Sequence, residues 1–190
     1  MIPIKNKAAF AKMEKAGQLL AQTMQIALQH VQPGVSTLDI DGVITKTLVQ
    51  QGLKSSTIGY MGYRHASCIS VNAEVVHGVP SAKKILKNGD VVKIDLCASW
   101  NGYCADMART VFVGVVPASA HRLVEVAQSS LDKGIAKAVA GNRLGDISSS
   151  IQQEVEKHGF GVVRDFAGHG IGKKLHEEPE LLNYGHAGQG

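Results

Sequence analysis

Asn101-Gly102 restricts the folding of this chain more than any other dipeptide in it. An Asn-Gly pair between β-rich runs is the strongest short-range hairpin signal, because a two-residue type I′ turn needs positive φ at both positions. The flanking runs, DVVKIDLCASW from Asp90 and YCADMARTVFVG from Tyr103, are therefore expected to pair antiparallel. Trp100 then faces Tyr103, Cys97 faces Asp106 and Asp95 faces Ala108. Side chains alternate with period two, so Asp95, Cys97, Cys104 and Asp106 share one face. The two carboxylates become diagonal neighbours, with roughly 7–8 Å between Cα atoms. Ile94, Leu96, Val111, Phe112 and Val113 surround them, so both acids are expected to be buried among apolar residues. Two poorly solvated carboxylates this close repel unless a proton or cation lies between them, and a divalent metal resolves the conflict. The alternative is an exposed hairpin face carrying two solvated acids.

The bulk properties agree with a globular domain large enough for a real core: 190 residues, 44% hydrophobic and 19% charged. The net charge of +4 is mild, and the lysines are scattered without interleaved aromatics, which argues against nucleic-acid binding. Three cysteines, Cys68, Cys97 and Cys104, with no CxxC pair, fit a reduced, cytoplasmic setting. Cys97 and Cys104 would nevertheless be close enough in the hairpin to oxidise in vitro. No apolar run approaches the ~18 residues of a membrane span, and the N-terminus has no apolar signal region, so neither export nor membrane insertion is expected.

Along the chain, Phe10, Met13, Leu19, Leu20, Met24 and Leu28 recur at helical spacing from about Asn6 to His30. A second helix starts at Ser36-Thr37, carries Leu38, Ile40, Val43, Ile44 and Leu48, and stops at Gly52. A glycine-rich loop with Tyr60 and Tyr63 could shape a pocket, and Ser67–Val71 leads through Asn72 into a further strand-like stretch, Val75–Gly78. After the hairpin, Pro117 opens a helix with Leu123, Val124, Val126, Leu131, Ile135 and Val139. The next segment, GNRLGDISSSIQQEVEKHG, repeats GVSTLDIDGVITKTLVQQG: Gly34 matches Gly141, Asp39 matches Asp146, Ile40 matches Ile147 and Gly52 matches Gly159, all 107 positions apart. The chain thus reads as two related halves, about 1–115 and 116–190. The same offset carries the acidic hairpin beyond Gly190, so the second half is expected to stop before its own hairpin. Near the end, His169 sits between glycines that let a ligand approach the backbone, and His176 precedes Glu177-Glu178-Pro179. Composition alone leaves His77 and His176 undecided.

Taken together, HGVP at His77–Pro80, NGDVVKIDL with Asp95, YCADMARTVFVG with Asp106 and AGHGIGKKLHEEP resemble the type I methionine aminopeptidases, from the first helix through Tyr184. The resemblance implies a single aminopeptidase-like domain, 1–190, of α/β (α+β) class and pita-bread fold, with two pseudo-symmetric halves and the second incomplete. It implies Asp95 as ligand of one metal, Asp106 as bridging ligand and His169 as ligand of a second. His77 would contact the scissile amide or leaving amine, and His176 would steady the tetrahedral intermediate. Tyr60, Tyr63 and Cys68 would form the methionine pocket. Two divalent ions, Mn, Fe, Co or Zn, would activate water against the bond after the initiator methionine of nascent chains in which a small residue follows, in the cytoplasm and with a possible ribosome association. Two glutamate ligands, one of them the general base, are expected beyond Gly190, which makes activity of the 190-residue chain alone doubtful on this reading. Glu177 and Glu178 belong to the HEEP segment and are not expected to replace them. The competing readings are a truncated or non-catalytic binding module for metal or protein, and a prolidase-like dipeptidase. The dipeptidase would need a different pocket and an extra N-terminal domain, for which the start at Met1 leaves no room.

Overall fold

In the computed structural model, which describes residues 2–190, Asn6 starts the first helix by accepting the Ala9 N–H on its side chain at 2.9 Å. This helix, α1 (Lys7–Gln29), buries Ala9, Ala16, Leu20, Thr23, Met24 and Ala27. Phe10, expected inside, is 60% exposed: the buried stripe runs through small alanines that admit close packing, and Phe10 lies one position round from it. Ser36 caps α2 (Thr37–Gln50), with Asp39 accepting both its N–H and its hydroxyl. Gly52, at φ +69°, ends the helix, and the next N–H, of Leu53, closes on the Leu48 carbonyl at 2.9 Å.

The remaining elements are β1 (Lys54–Ser55), a 3₁₀ turn (Tyr60–Gly62), β2 (Ser67–Val71), β3 (Val91–Trp100), β4 (Tyr103–Phe112), α3 (Ala118–Lys137), α4 (Leu144–Lys157), β5 (Gly168–Gly170) and β6 (Glu177–Leu181). Contacts divide the chain into two units: residues up to Val116 with Ile171–Glu177, and Pro117–Gly170 with Glu178–Gly190.

In the first unit β3 pairs antiparallel with β1, β2 and β4. The hairpin register is the expected one, Trp100 opposite Tyr103, Cys97 opposite Asp106 and Asp95 opposite Ala108. Asn101 and Gly102 turn at φ +48° and +78°. Helix α1 packs on β3 and β4, and Leu20, Met24, Ile40, Ile44, Ile69, Ile94 and Leu96 form the dry centre. The stretch Val75–Gly78 is not a strand. Asn72, at φ +54°, ends β2, and the Glu74 carboxylate takes the Val71 N–H at 2.7 Å, so the chain turns back.

In the second unit α3 meets α4 along Val126, Ser130 and Gly134, which are spaced at i, i+4 and i+8. Gly134 allows the approach: a Cβ there would stand 2.9 Å from Ile151. Of the expected apolar stripe only Val126 is in this contact, since Leu123, Leu131, Ile135 and Val139 are exposed. Helix α4 repeats the devices of α2 at the matched positions. Asp146 accepts the Arg143 N–H, Gly159 turns at φ +80°, and the Phe160 N–H returns to the Val155 carbonyl. The short strands β5 and β6 pair with each other.

Glu154, 7% exposed, joins the two helices by accepting from Ser129 Oγ at 2.7 Å, and it pairs with Lys157 at 2.6 Å. The Lys157 ammonium, and after it the Ser129 hydroxyl, hold its carboxyl down to about 2, from an ordinary 4.5. A carboxylate depressed in the folded state contributes stability above its unfolded pKa and loses it as pH falls through the folded one. The α3–α4 pair should therefore weaken between pH 4.5 and about 2. Stability plotted against pH should be flatter for Glu154→Gln than for wild type across that window; equal slopes would mean that the Glu154 carboxylate does not set the acid sensitivity.

Candidate metal centre and substrate cavity

The hairpin brings ligand atoms of Asp95, Cys97 and Asp106 all within 4.8 Å of one another. Asp95 is half-buried and Asp106 exposed, so the acids are less enclosed than expected. Strand alternation is the reason: Ile94, Leu96 and Ala98 are fully buried on the opposite face, whereas Ala108 and Thr110, which continue the acid-bearing face of β4, are exposed. Burial pushes the Cys97 thiol up, with the charges of Asp106 and Asp95 adding to it, and the thiol approaches Asp95 Oδ1 at 4.0 Å. Two carboxylates and one thiol make up the donor set, so oxygen donors are the majority. All three cysteines are free.

The other expected residues stand on adjoining loops of the first unit. His77 is exposed, at φ +56°, an uncommon conformation for a side chain other than glycine. Gly78 fixes it there by pairing with β2: its carbonyl accepts the Ile69 N–H at 2.7 Å and its N–H donates to Ser70 Oγ at 3.0 Å. Tyr63 donates to the Ser67 carbonyl at 2.9 Å, and burial pushes its phenol up, with the adjacent Cys68 thiol as the next cause.

His176 is carried by the segment Ile171–Glu177, anchored to the hairpin by the Cys104 N–H, which donates to the Gly172 carbonyl at 2.7 Å. Glu177 is engaged in this anchoring. It accepts from Lys5 Nζ at 2.7 Å and from the Lys174 N–H at 3.1 Å, and the Lys5 contact holds its carboxyl below the usual range. The His176 and Tyr60 rings meet with centroids 5.6 Å apart. Both line a cavity of about 550 Å³ whose wall also includes Ile58, Cys104 and Leu175. Tyr63 and Cys68 lie outside that wall.

His169 lies on β5 of the second unit. Its Nδ1 stands 3.0 Å from the Gly170 carbonyl, which can only accept, so the ring donates from Nδ1 in this contact. Sequence reading had put Cys97 beside the acids without counting it as a donor, and it had not found the cavity wall, which joins segments far apart in the chain. Among the described residues no helix is long and apolar enough to cross a membrane.

The profile of metallopeptidase family M24 matches residues 11–189. A methionine aminopeptidase of Clostridium acetobutylicum is 44% identical over 190 residues, covering 100% of this chain and 76% of its relative. The methionine aminopeptidase of Thermotoga maritima has a crystal structure that superposes with a TM-score of 0.97 at 40% identity, again over 100% and 76% of the two chains. A prolidase from Pyrococcus furiosus, 24% identical and covered over 53%, shares the fold with a TM-score of 0.85. The fold is thus the pita-bread fold, and the chain belongs to metallopeptidase family M24 and, within it, to the methionine aminopeptidases.

Proposed function

We propose that this chain removes the initiator methionine from cytoplasmic nascent proteins in which a small residue follows, using Asp95 and Asp106 on the hairpin and His169 on β5 as metal ligands. The observation that carries the reading is the convergence of Asp95, Cys97 and Asp106 within 4.8 Å. Two carboxylates at that range form a donor set that a divalent cation stabilises, and the oxygen-rich set with one imidazole suits Mn, Fe, Co or Zn. Once bound, two such ions supply Lewis acidity and a water acidified enough to attack at neutral pH.

The chain's own residues bind and orient. Tyr60, Tyr63 and Cys68 take the methionine side chain, whose unbranched thioether suits a pocket with aromatic and thiol walls. His176, beside Tyr60, hydrogen-bonds the oxygen on which negative charge develops. His77 contacts the scissile nitrogen and steadies the leaving amine. The repeated caps of α2 and α4 support a further part of the reading, that the chain derives from two duplicated halves.

The test is release of methionine from a Met-Gly-Met peptide by the purified chain with added Mn or Co, using Asp106→Ala as the control. Turnover in the control equal to wild type would sink the assignment.

Gly78 offers a second check on the role of His77. A Cβ at this position would collide with the Ile69 carbonyl oxygen and stand 2.7 Å from Ser70 Cα, both backbone groups that cannot step aside. Gly78→Ala should cost about 1–3 kcal/mol of stability. It should also lower kcat/KM by about 10²-fold, because a shift of the order of 1 Å in a positioned group has that effect. Combined with His77→Ala, it should add little further loss. Full additivity of the two changes would mean that Gly78 acts elsewhere.

A further inference from the structure

The cavity that holds Tyr60 and His176 is also lined by Lys54, Lys173 and Lys174, and no aspartate or glutamate faces it. All three lysines are exposed, while Cys104 at the same wall is buried, so the cations occupy the rim of the cavity and not its floor. Among the described residues none of the three ammonium groups has an ion-pair partner, although Lys5, Lys84 and Lys157 elsewhere each have one. The nearest acid in the chain, Glu177, is already occupied by Lys5 and the Lys174 N–H. Three unneutralised cations around one opening attract anions, and the attraction falls with salt.

Which anion reaches them follows from the proposed function, on which this inference rests. With the methionine side chain against Tyr60 and the scissile carbonyl at His176, the residues after the cut must leave past the rim. The cavity volume of about 550 Å³ lies within the ordinary range for ligand clefts and leaves room for this stretch of chain. Ile58 and Leu175 on the same wall suit a peptide better than a bare inorganic anion. We infer that Lys54, Lys173 and Lys174 form a downstream subsite that favours substrates with aspartate or glutamate two to three residues after the cleaved methionine. The preference acts through side-chain carboxylates and extends the reading of the substrate beyond the residue next to the cut.

The test compares kcat/KM for Met-Ala-Asp-Asp, Met-Ala-Ser-Ser and Met-Ala-Lys-Lys, each amidated at its C-terminus so that only side chains carry negative charge. Wild type should favour the aspartate peptide over the serine peptide by about fivefold at low salt, the size expected of a few solvent-exposed charge pairs. The ratio should approach one near 1 M salt, where the screening length falls to about 3 Å. A Lys173→Ala, Lys174→Ala double variant should lose the preference, Lys173→Arg with Lys174→Arg should keep it, and Lys174→Glu should move it toward the lysine peptide. A wild-type ratio of one, or a ratio unchanged in the alanine variant, overturns the subsite while leaving the aminopeptidase reading intact. If none of the three peptides is cleaved, it is activity of the 190-residue chain by itself that fails. Fluorescence anisotropy of labelled Met-Ala-Asp-Asp-amide against the same variants then decides the subsite: equal binding by wild type and the alanine variant overturns it.

Discussion

Asp106→Ala will reduce methionine release at least about 10³-fold, since a metal's stabilisation of developing charge is worth several kcal/mol and each 1.36 kcal/mol is a decade of rate. The folded chain will survive the change. Asp106 is exposed on β4, and exposed substitutions usually cost within about 0.5 kcal/mol. Stability should even rise slightly without metal, because Asp95 loses a like charge from a cluster spanning 4.8 Å. Added metal should reverse that ranking. A ligand that binds only the folded state at 100 times its dissociation constant stabilises it by about 2.7 kcal/mol, a gain wild type should show and Asp106→Ala should lack. Thermal unfolding with and without Mn measures both effects. A metal-induced shift in Asp106→Ala equal to that of wild type would remove Asp106 from the ligand set, whatever became of the activity.

That contrast depends on a register that was fully legible in the sequence. Asn101-Gly102 permits one tight turn, and every pairing from Trp100–Tyr103 to Val91–Phe112 follows from it. Helix ends were legible for a similar reason, since Asn6, Ser36 and Gly52 act on backbone groups within a few residues of themselves. Which face a helix buries was harder to read. Phe10 and Leu131 have the letters of core residues, yet Ala9 and Ser130 are the buried neighbours, because the partner helix or sheet needs close approach more than it needs volume. The openness of the acid-bearing face was misread for a related reason: apolar neighbours along a strand point to the other side of it. The lysine rim was not legible at all. Lys54 and the Lys173-Lys174 pair read as scattered surface charge until the fold places them around one cavity.

Asp41 was equally silent in the sequence, and its replacement should have the largest effect on stability. The side chain is buried at 6% exposure on the inner face of α2, in line with Thr37, Ile44 and Leu48. Its Oδ1 accepts the N–H groups of Ala66 and Ser67, each at 3.0 Å, and the Ser67 hydroxyl at 2.7 Å. His65 Nδ1 donates to Oδ2 at 3.1 Å. One carboxylate thus satisfies the start of β2 and ties it to α2. Ala66 and Ser67 are both fully buried, so in Asp41→Ala their N–H groups lose their acceptor with no water to replace it. Each buried donor left unsatisfied costs about 1–3 kcal/mol, and two N–H groups are left so. A loss of about 3–5 kcal/mol is a large share of the ~5–15 kcal/mol that holds an ordinary domain together. Asp41→Asn keeps an acceptor oxygen in place and should lose only about 1–2 kcal/mol, the premium of a charged over a neutral acceptor. Urea denaturation of the three proteins orders them as wild type, Asn and Ala. The same series should lower peptide turnover in the Ala variant beyond its unfolded fraction, because β2 carries Cys68 directly after Ser67 and pairs it with Asp95 of the metal cluster. An alanine variant within about 0.5 kcal/mol of wild type, the range of ordinary surface changes, would mean that β2 finds other acceptors unaided.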